Sequence, residues 1–337
     1  MFAQTQLLSP VDSFLVLFQS IVFEALPFIV LGALISGTLE VLLPQQLFMK
    51  IIPKRTSLAI AGSALLGLVF PMCECGIVPV MRRLLGKGLP LGCAVAYMLA
   101  APIINPVVIT STAAAFYGEN RLDGLTSGQM VTLRVGLAFI TACIVGLWVE
   151  RLARTEGSGS LTHPIHGLRH RPQEDEPSPA PNGEAHTTRL TWGQKITSIS
   201  EVAIHDFIDI TCFLILGALL AAGAQSLGIT NLSQDGSGQS VLANPVVAVF
   251  YMMGLAVLLC LCSEADAFVA ANMLGVPLSG KIAFLVLGPM LDLKLLFMYT
   301  RVFRRKLIVN IVIPVVIIVA SLSITVHYLN QAGSTLK

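Results

Sequence analysis

Eight apolar stretches, separated by short polar breaks, run along the chain: Ser13 to Gly37, Leu58 to Pro71, Leu89 to Tyr117, Val131 to Leu152, Ile196 to Leu227, Val241 to Cys262, Val276 to Tyr299 and Leu307 to Leu329. Crossing a bilayer takes about 20 helical residues at 1.5 Å each. The run from Thr56 to Phe70 is shorter than that. It is broken by Pro71 and by Cys73-Glu74-Cys75-Gly76 before Ile77 to Met81 leads into Arg82, Arg83 and Lys87. A helix that halts at a Pro and Gly break and turns back is expected as a re-entrant hairpin, because irregular backbone survives at membrane depth only where protein or a cavity covers it. Asn244 to Leu274 is expected to form a second hairpin. The other six stretches are expected as full spans.

The second hairpin repeats features of the first. Adding 187 to a position carries Cys73 onto Cys260, Cys75 onto Cys262, Gly88 onto Gly275, Pro90 onto Pro277, Pro102 onto Pro289 and Asn105 onto Asp292. Upstream, Glu24 to Gly37 lies over Asp209 to Ala222 with a shift of 185. This pattern predicts an all-α integral membrane fold, internally duplicated, in which each repeat has about three full spans plus a broken or re-entrant helical hairpin. The expected boundaries are 1–154 for the first repeat, 155–191 for a flexible linker and 192–337 for the second repeat. Internal repeats of this kind are typical of secondary transporters, which bind substrate where the repeats meet.

Composition agrees with the class. Of the 337 residues 55% are hydrophobic and 12% charged, far more apolar than a soluble domain needs. The formal net charge of +2 gives no reason to expect an acidic partner such as nucleic acid. The start, MFAQTQLLSPVDSF, lacks the basic region and cleavage site of a signal peptide.

Position of charge matters more than its sum. Lys50, Lys54 and Arg55 precede the first hairpin and Arg82, Arg83 and Lys87 follow it. Arg151, Arg154, Arg169, Arg171, Arg189 and Lys195 belong to the central region, and Arg301, Arg304, Arg305 and Lys306 lie between the last two spans. If the two hairpins open to opposite faces, all these clusters become cytoplasmic, as the positive-inside rule asks. Three spans and a hairpin per half then make the repeats inverted. Eight simple spans would leave Arg301 to Lys306 outside. The linker, rich in Pro, Gly, Ser and charge, is expected to be cytoplasmic, with His163, His166, His170 and His186 read as polar linker residues rather than metal ligands.

The chemistry concentrates at the tips. Cys73, Cys75, Cys260 and Cys262 supply soft thiol ligands suited to monovalent copper, zinc or trivalent arsenic, and are the candidate metal and substrate ligands. The alternative is that cysteine serves as a small packing residue, which is the reading adopted for Cys93, Cys143 and Cys212. An ionised side chain at the membrane centre costs about 3 kcal/mol, so Glu74, Glu264 and Asp266 beside the tips are candidate proton-coupling groups. Glu24 and Asp209, at matching places in the first span of each half, are candidates for the same role. Water at a hairpin mouth, or pairing of Asp292 with Lys294 and of Glu74 with Arg82, would explain the carboxylates without transport. Asp206 and His205 are placed at the cytoplasmic interface. Ala101-Pro102-Ile103-Ile104-Asn105-Pro106 and Gly288-Pro289-Met290-Leu291-Asp292 break long spans, so Asn105 and Asp292 are candidate substrate contacts or inter-helix bonds. Met72, Met98 and Met290 lie near these breaks.

Pro71 to Ile109, PMCECGIVPVMRRLLGKGLPLGCAVAYMLAAPIINPVVI, resembles the signature of the permease family that includes YraQ-type permeases and ArsP organoarsenical efflux proteins. The resemblance implies an inner-membrane permease, and ArsP-type members export trivalent organoarsenicals through membrane cysteines; Cys73 and Cys75 are the positions that match. The expected function is a secondary carrier exporting a thiophilic metalloid or metal. The chain has no GxxxxGK[ST] motif and so brings no ATP site of its own. A membrane thiol-disulfide oxidoreductase, a channel and the membrane subunit of a larger complex are the alternatives. No enzyme activity and no cofactor are expected. The expected partners are the lipid bilayer and a small thiophilic substrate, with a homo-oligomer left open.

Overall fold

The computed structural model describes residues 10–42, 55–69, 72–117, 126–157, 161, 192–226, 244–273 and 275–335. The described residues form helices and turns. In the first half these are α1 (Pro10–Leu42), α2 (Thr56–Ala64) continued by a tight turn Leu65–Leu68, α3 (Glu74–Gly86), α4 (Leu91–Ala100), α5 (Pro106–Ala115) and α6 (Ser127–Glu156). In the second half they are α7 (Trp192–Ser226), α8 (Pro245–Leu259), α9 (Ala265–Asn272), α10 (Leu278–Met290), α11 (Leu293–Val302) and α12 (Arg305–Thr335).

Local chemistry sets the starts. Thr126 and Gln129 form a reciprocal capping box at α6. Asn105 caps α5 and Asn244 caps α8, each followed by Pro at the first helical position, where the missing N–H costs nothing. Asp292 caps α11 through a 2.6 Å bond from the Leu295 N–H.

Among the described residues five segments are long and apolar enough to cross a membrane: Phe14–Thr38, Ser127–Glu156, Ile199–Leu220, Leu278–Thr300 and Arg305–Ala332. Leu89 to Tyr117, expected as a full span, is instead two ten-residue helices, α4 and α5, of about 15 Å each. The cap at Asn105 restarts the chain after the Ala101–Ile104 turn. Leu278–Thr300 has a comparable break at Leu291 and Asp292, between α10 and α11.

The outer faces are apolar. Phe23, Leu31 and Leu34 on α1, Ile140, Ile144 and Trp148 on α6, Ile204, Ile208 and Leu216 on α7, and Val309, Ile313 and Ile317 on α12 are exposed, at helical spacing. Those stripes face lipid. All described residues of α4 and α10 are buried, and the two helices touch at the centre. Around them α2 and α6 pack on α4, while α8 and α12 pack on α10. α1 lies along α7 with Gly37, late in α1, against the backbone of Ile199, early in α7. At one end of the bundle Arg154 bonds Thr56, Lys306 pairs with Glu156 at 2.7 Å, and the Arg304 N–H bonds the Leu161 carbonyl at 3.0 Å. The end of α6 and the basic start of α12 therefore share one face. Eight simple spans would put them on opposite faces.

Candidate functional site

The two tips meet at a buried cluster of charge. Glu74 opens α3, where the positive end of the helix dipole favours a carboxylate. Its Oε1 lies 2.8 Å from Lys294 Nζ, although Lys294 comes from α11, 220 residues on. The same ammonium is 3.3 Å from Asp292 Oδ2 and donates to the Cys260 carbonyl at 3.2 Å. Glu74, Asp292 and Lys294 are each at most 3% exposed.

Cys260 ends α8 at φ 48°, and among the described residues it is the one non-glycine in the left-handed region. Such backbone costs about 1–2 kcal/mol and persists where its surroundings hold it; here the Lys294 bond to its carbonyl does so. Its thiol turns back to the Val257 carbonyl. Cys262 instead bonds Glu264 Oε2 at 3.4 Å and lies within electrostatic reach of Glu74 and Lys294. Cys73 and Cys75 adjoin each other, with Cys262 nearby. Among the described residues no three Cys, His, Asp or Glu side chains converge as metal ligands do.

A second buried ion pair ties the second tip to the first half. Arg134 on α6 donates to Asp266 at 2.8 and 2.9 Å, to the Ser263 carbonyl at 2.8 Å and to Thr112 on α5 at 2.6 Å. A third joins Arg83 on α3 to Asp206 on α7 at 3.2 Å, and Ser36 on α1 also donates to Asp206, at 2.8 Å.

The structure thus brings together Cys73, Glu74, Cys75, Cys260, Cys262, Glu264 and Asp292, with Asp266 held just behind. Asn105 caps α5 through the Val107 N–H at 2.9 Å and reaches the Met72 carbonyl at 3.5 Å, so its amide serves the backbone at the first tip. The side chains of Glu24 and Asp209 lie outside the described residues, as do the linker histidines. Met72, Met98 and Met290 are buried. Cys93 is buried and Cys143 half-buried, as packing residues should be; Cys212 is exposed on the outer face of α7, where the sequence suggested burial. Asp206 is 5% exposed and paired with Arg83. Of the pairings offered as the alternative to transport, Asp292 with Lys294 is present, whereas the partner of Glu74 is Lys294 rather than Arg82. Sequence reasoning did not single out Arg134 at all, although the one charged residue between Val131 and Val149 is the signal that could have found it.

The chain belongs to the ArsP_1 family, described as "Predicted permease", whose profile matches residues 11–328. It is 37% identical over 311 residues to "UPF0718 protein YcgR" of Bacillus subtilis strain 168, covering 92% of this chain and 95% of that one. It is 34% identical over 299 residues to the "Putative two-component membrane permease complex subunit" of Streptococcus mutans serotype c, covering 88% and 89%. No solved structure matches the chain. It is a multi-pass membrane protein of a permease family, which points to transport rather than enzymatic chemistry.

Proposed function

We propose that this permease is a secondary carrier of the bacterial inner membrane that exports a thiophilic metal or metalloid species, such as a trivalent organoarsenical, through the cluster where the tips meet. The observation that supports this most is the Glu74–Lys294–Asp292 group, buried at the junction of two broken helices beside Cys73, Cys75 and Cys262. Glu74, Glu264 and Asp266 are the groups to which we assign proton coupling, with Glu24 and Asp209 as further candidates. Cys260 and Asn105, the other candidate contacts, hold the tips, and Asp292 faces the cargo.

Duplication in inverted orientation, with repeats 1–154 and 192–337, is part of the same reading. In its favour, α4 and α10 begin 187 residues apart, as do α5 and α11, and Gly88 and Gly275 both have positive φ. The packing is also paired: α3 touches α11 as α9 touches α5. The opposed course of α1 and α7, with Gly37 beside Ile199, favours inversion. The shared face of Arg154, Arg304 and Lys306 favours a cytoplasmic linker over residues 155–191.

A sensitive bacterial host expressing the chain should gain resistance to at least one of methylarsenite, arsenite, antimonite, silver or copper, and Cys73→Ser with Cys75→Ser should abolish it. Resistance that survives both substitutions sinks the thiol site. The name of the Streptococcus relative supports a second reading, in which this chain is one subunit of a two-component permease. Co-purification of a second chain, without which no resistance appears, would favour that reading.

A further inference from the structure

The central cluster has two carboxylates and one cation. Lys294 Nζ stands between Glu74 at 2.8 Å and Asp292 at 3.3 Å. Ionised carboxylates this deeply buried normally accept several hydrogen bonds. Here neither Glu74 oxygen accepts one, nor does Asp292 Oδ2, so their compensation is the ammonium itself. Lysine is suited to leave, being a compact point charge on a flexible stem, whereas a planar arginine would lock the pair.

We propose that Glu74 and Asp292 form a binding site for a soft monovalent cation, that Lys294 is its tethered occupant at rest, and that the arriving cargo displaces the ammonium and takes thiol contacts from Cys73, Cys75 and Cys262. This rests on the carrier reading above and narrows its cargo. Exchange of one monovalent cation for the ammonium conserves the charge of the site, whereas a neutral arsenical gives Lys294 no reason to move and a divalent ion adds a charge. The adjoining thiols favour monovalent copper or silver over sodium or potassium. The donors do not converge at rest because the ammonium lies among them.

The probe is Ag⁺, with binding to the purified full chain measured by equilibrium dialysis. Lys294→Met removes the competitor and should tighten Ag⁺ binding by on the order of tenfold or more, while Lys294→Arg should not tighten it. Sodium in large excess should not compete. Binding in Lys294→Met that equals or falls below that of the parent overturns the proposal, as does competition by sodium or an absence of Ag⁺ binding. If Lys294→Met does not fold, the unaltered protein decides: acetylation of Lys294 by an N-hydroxysuccinimide ester, followed by mass spectrometry, should rise when Ag⁺ is bound. Unchanged labelling overturns the displacement. Cys73→Ser with Cys75→Ser separates the two ideas. Undiminished Ag⁺ binding there sinks the thiol site of the carrier reading, and tighter binding in Lys294→Met still sustains displacement by a cation.

Discussion

Replacing Arg134 with Met should be among the most damaging single changes in this chain. Arg134 is 2% exposed, and its guanidinium joins α5, α6 and the second tip through Thr112, Asp266 and the Ser263 carbonyl. Breaking a buried ion pair by removing one partner costs about 3–5 kcal/mol, because the other charge is stranded. A separate route gives a similar figure: a lone Asp at the centre of a membrane helix costs about 2.5–3.5 kcal/mol on insertion scales. The lost bonds to Thr112 and Ser263 add to either estimate. Arg134→Met with Asp266→Leu removes both charges, so most of the loss should return, giving a coupling of about 2 kcal/mol or more in a double-mutant cycle. The assay is reversible denaturant unfolding in mixed micelles, followed by the fluorescence of the two tryptophans, Trp148 and Trp192. A loss below about 1 kcal/mol for the single change, or a double variant no better than the single, would refute the claim that the pair is held as ions.

Lys306→Ala should cost less than about 1 kcal/mol in the same titration, because the Lys306–Glu156 pair is exposed at 64% and 30% and water screens it. Gly32→Ala should cost about 1–3 kcal/mol, because its new Cβ would lie 2.6 Å from the Gly76 Cα and α1 would have to move off α3. Gly62→Ala, with nothing within 4 Å of its Cβ, should stay within about 1 kcal/mol of the parent and shows whether the Gly32 effect is contact or propensity.

The tips were legible because their signals are local. Cys73 to Gly76 and Cys260 to Ser263 interrupt apolar runs; the first forms the start of α3 and the second lies between α8 and α9. Asn105 followed by Pro106 reads as a helix start wherever it occurs, and the structure has a capped helix there. Partner choice was not local. Glu74 has Arg82 two turns along its own helix, yet pairs with Lys294, because α3 packs on α11 and the first tip comes within reach of that ammonium. No spacing in the chain encodes a contact between residues 74 and 294. Asp206 follows the same rule: its partners Ser36 on α1 and Arg83 on α3 are far off in the sequence and no local spacing encodes them. The split of Leu89 to Tyr117 lay between these cases, visible as a Pro and Asn break but not as the end of a span.

Three buried basic residues reach across the chain to a carboxylate: Arg83 to Asp206, Lys294 to Glu74, Arg134 to Asp266. In every case one partner precedes residue 157 and the other follows residue 191. A slide of one half past the other by a single helical turn, about 5.4 Å, would take all three from near 3 Å to beyond ionic reach. Each separated pair would then cost at least about 3 kcal/mol in an apolar surround, or roughly three times that in total for the three pairs. Such a cost is larger than the few kcal/mol that separate working conformations of a protein. Relative motion of the halves therefore requires water, or a cation from outside, at whichever of the three pairs opens. Among the described residues thiols adjoin the carboxylates at the central pair, and that is the ground on which we propose Glu74 and Lys294, rather than Arg83 or Arg134, for the cargo.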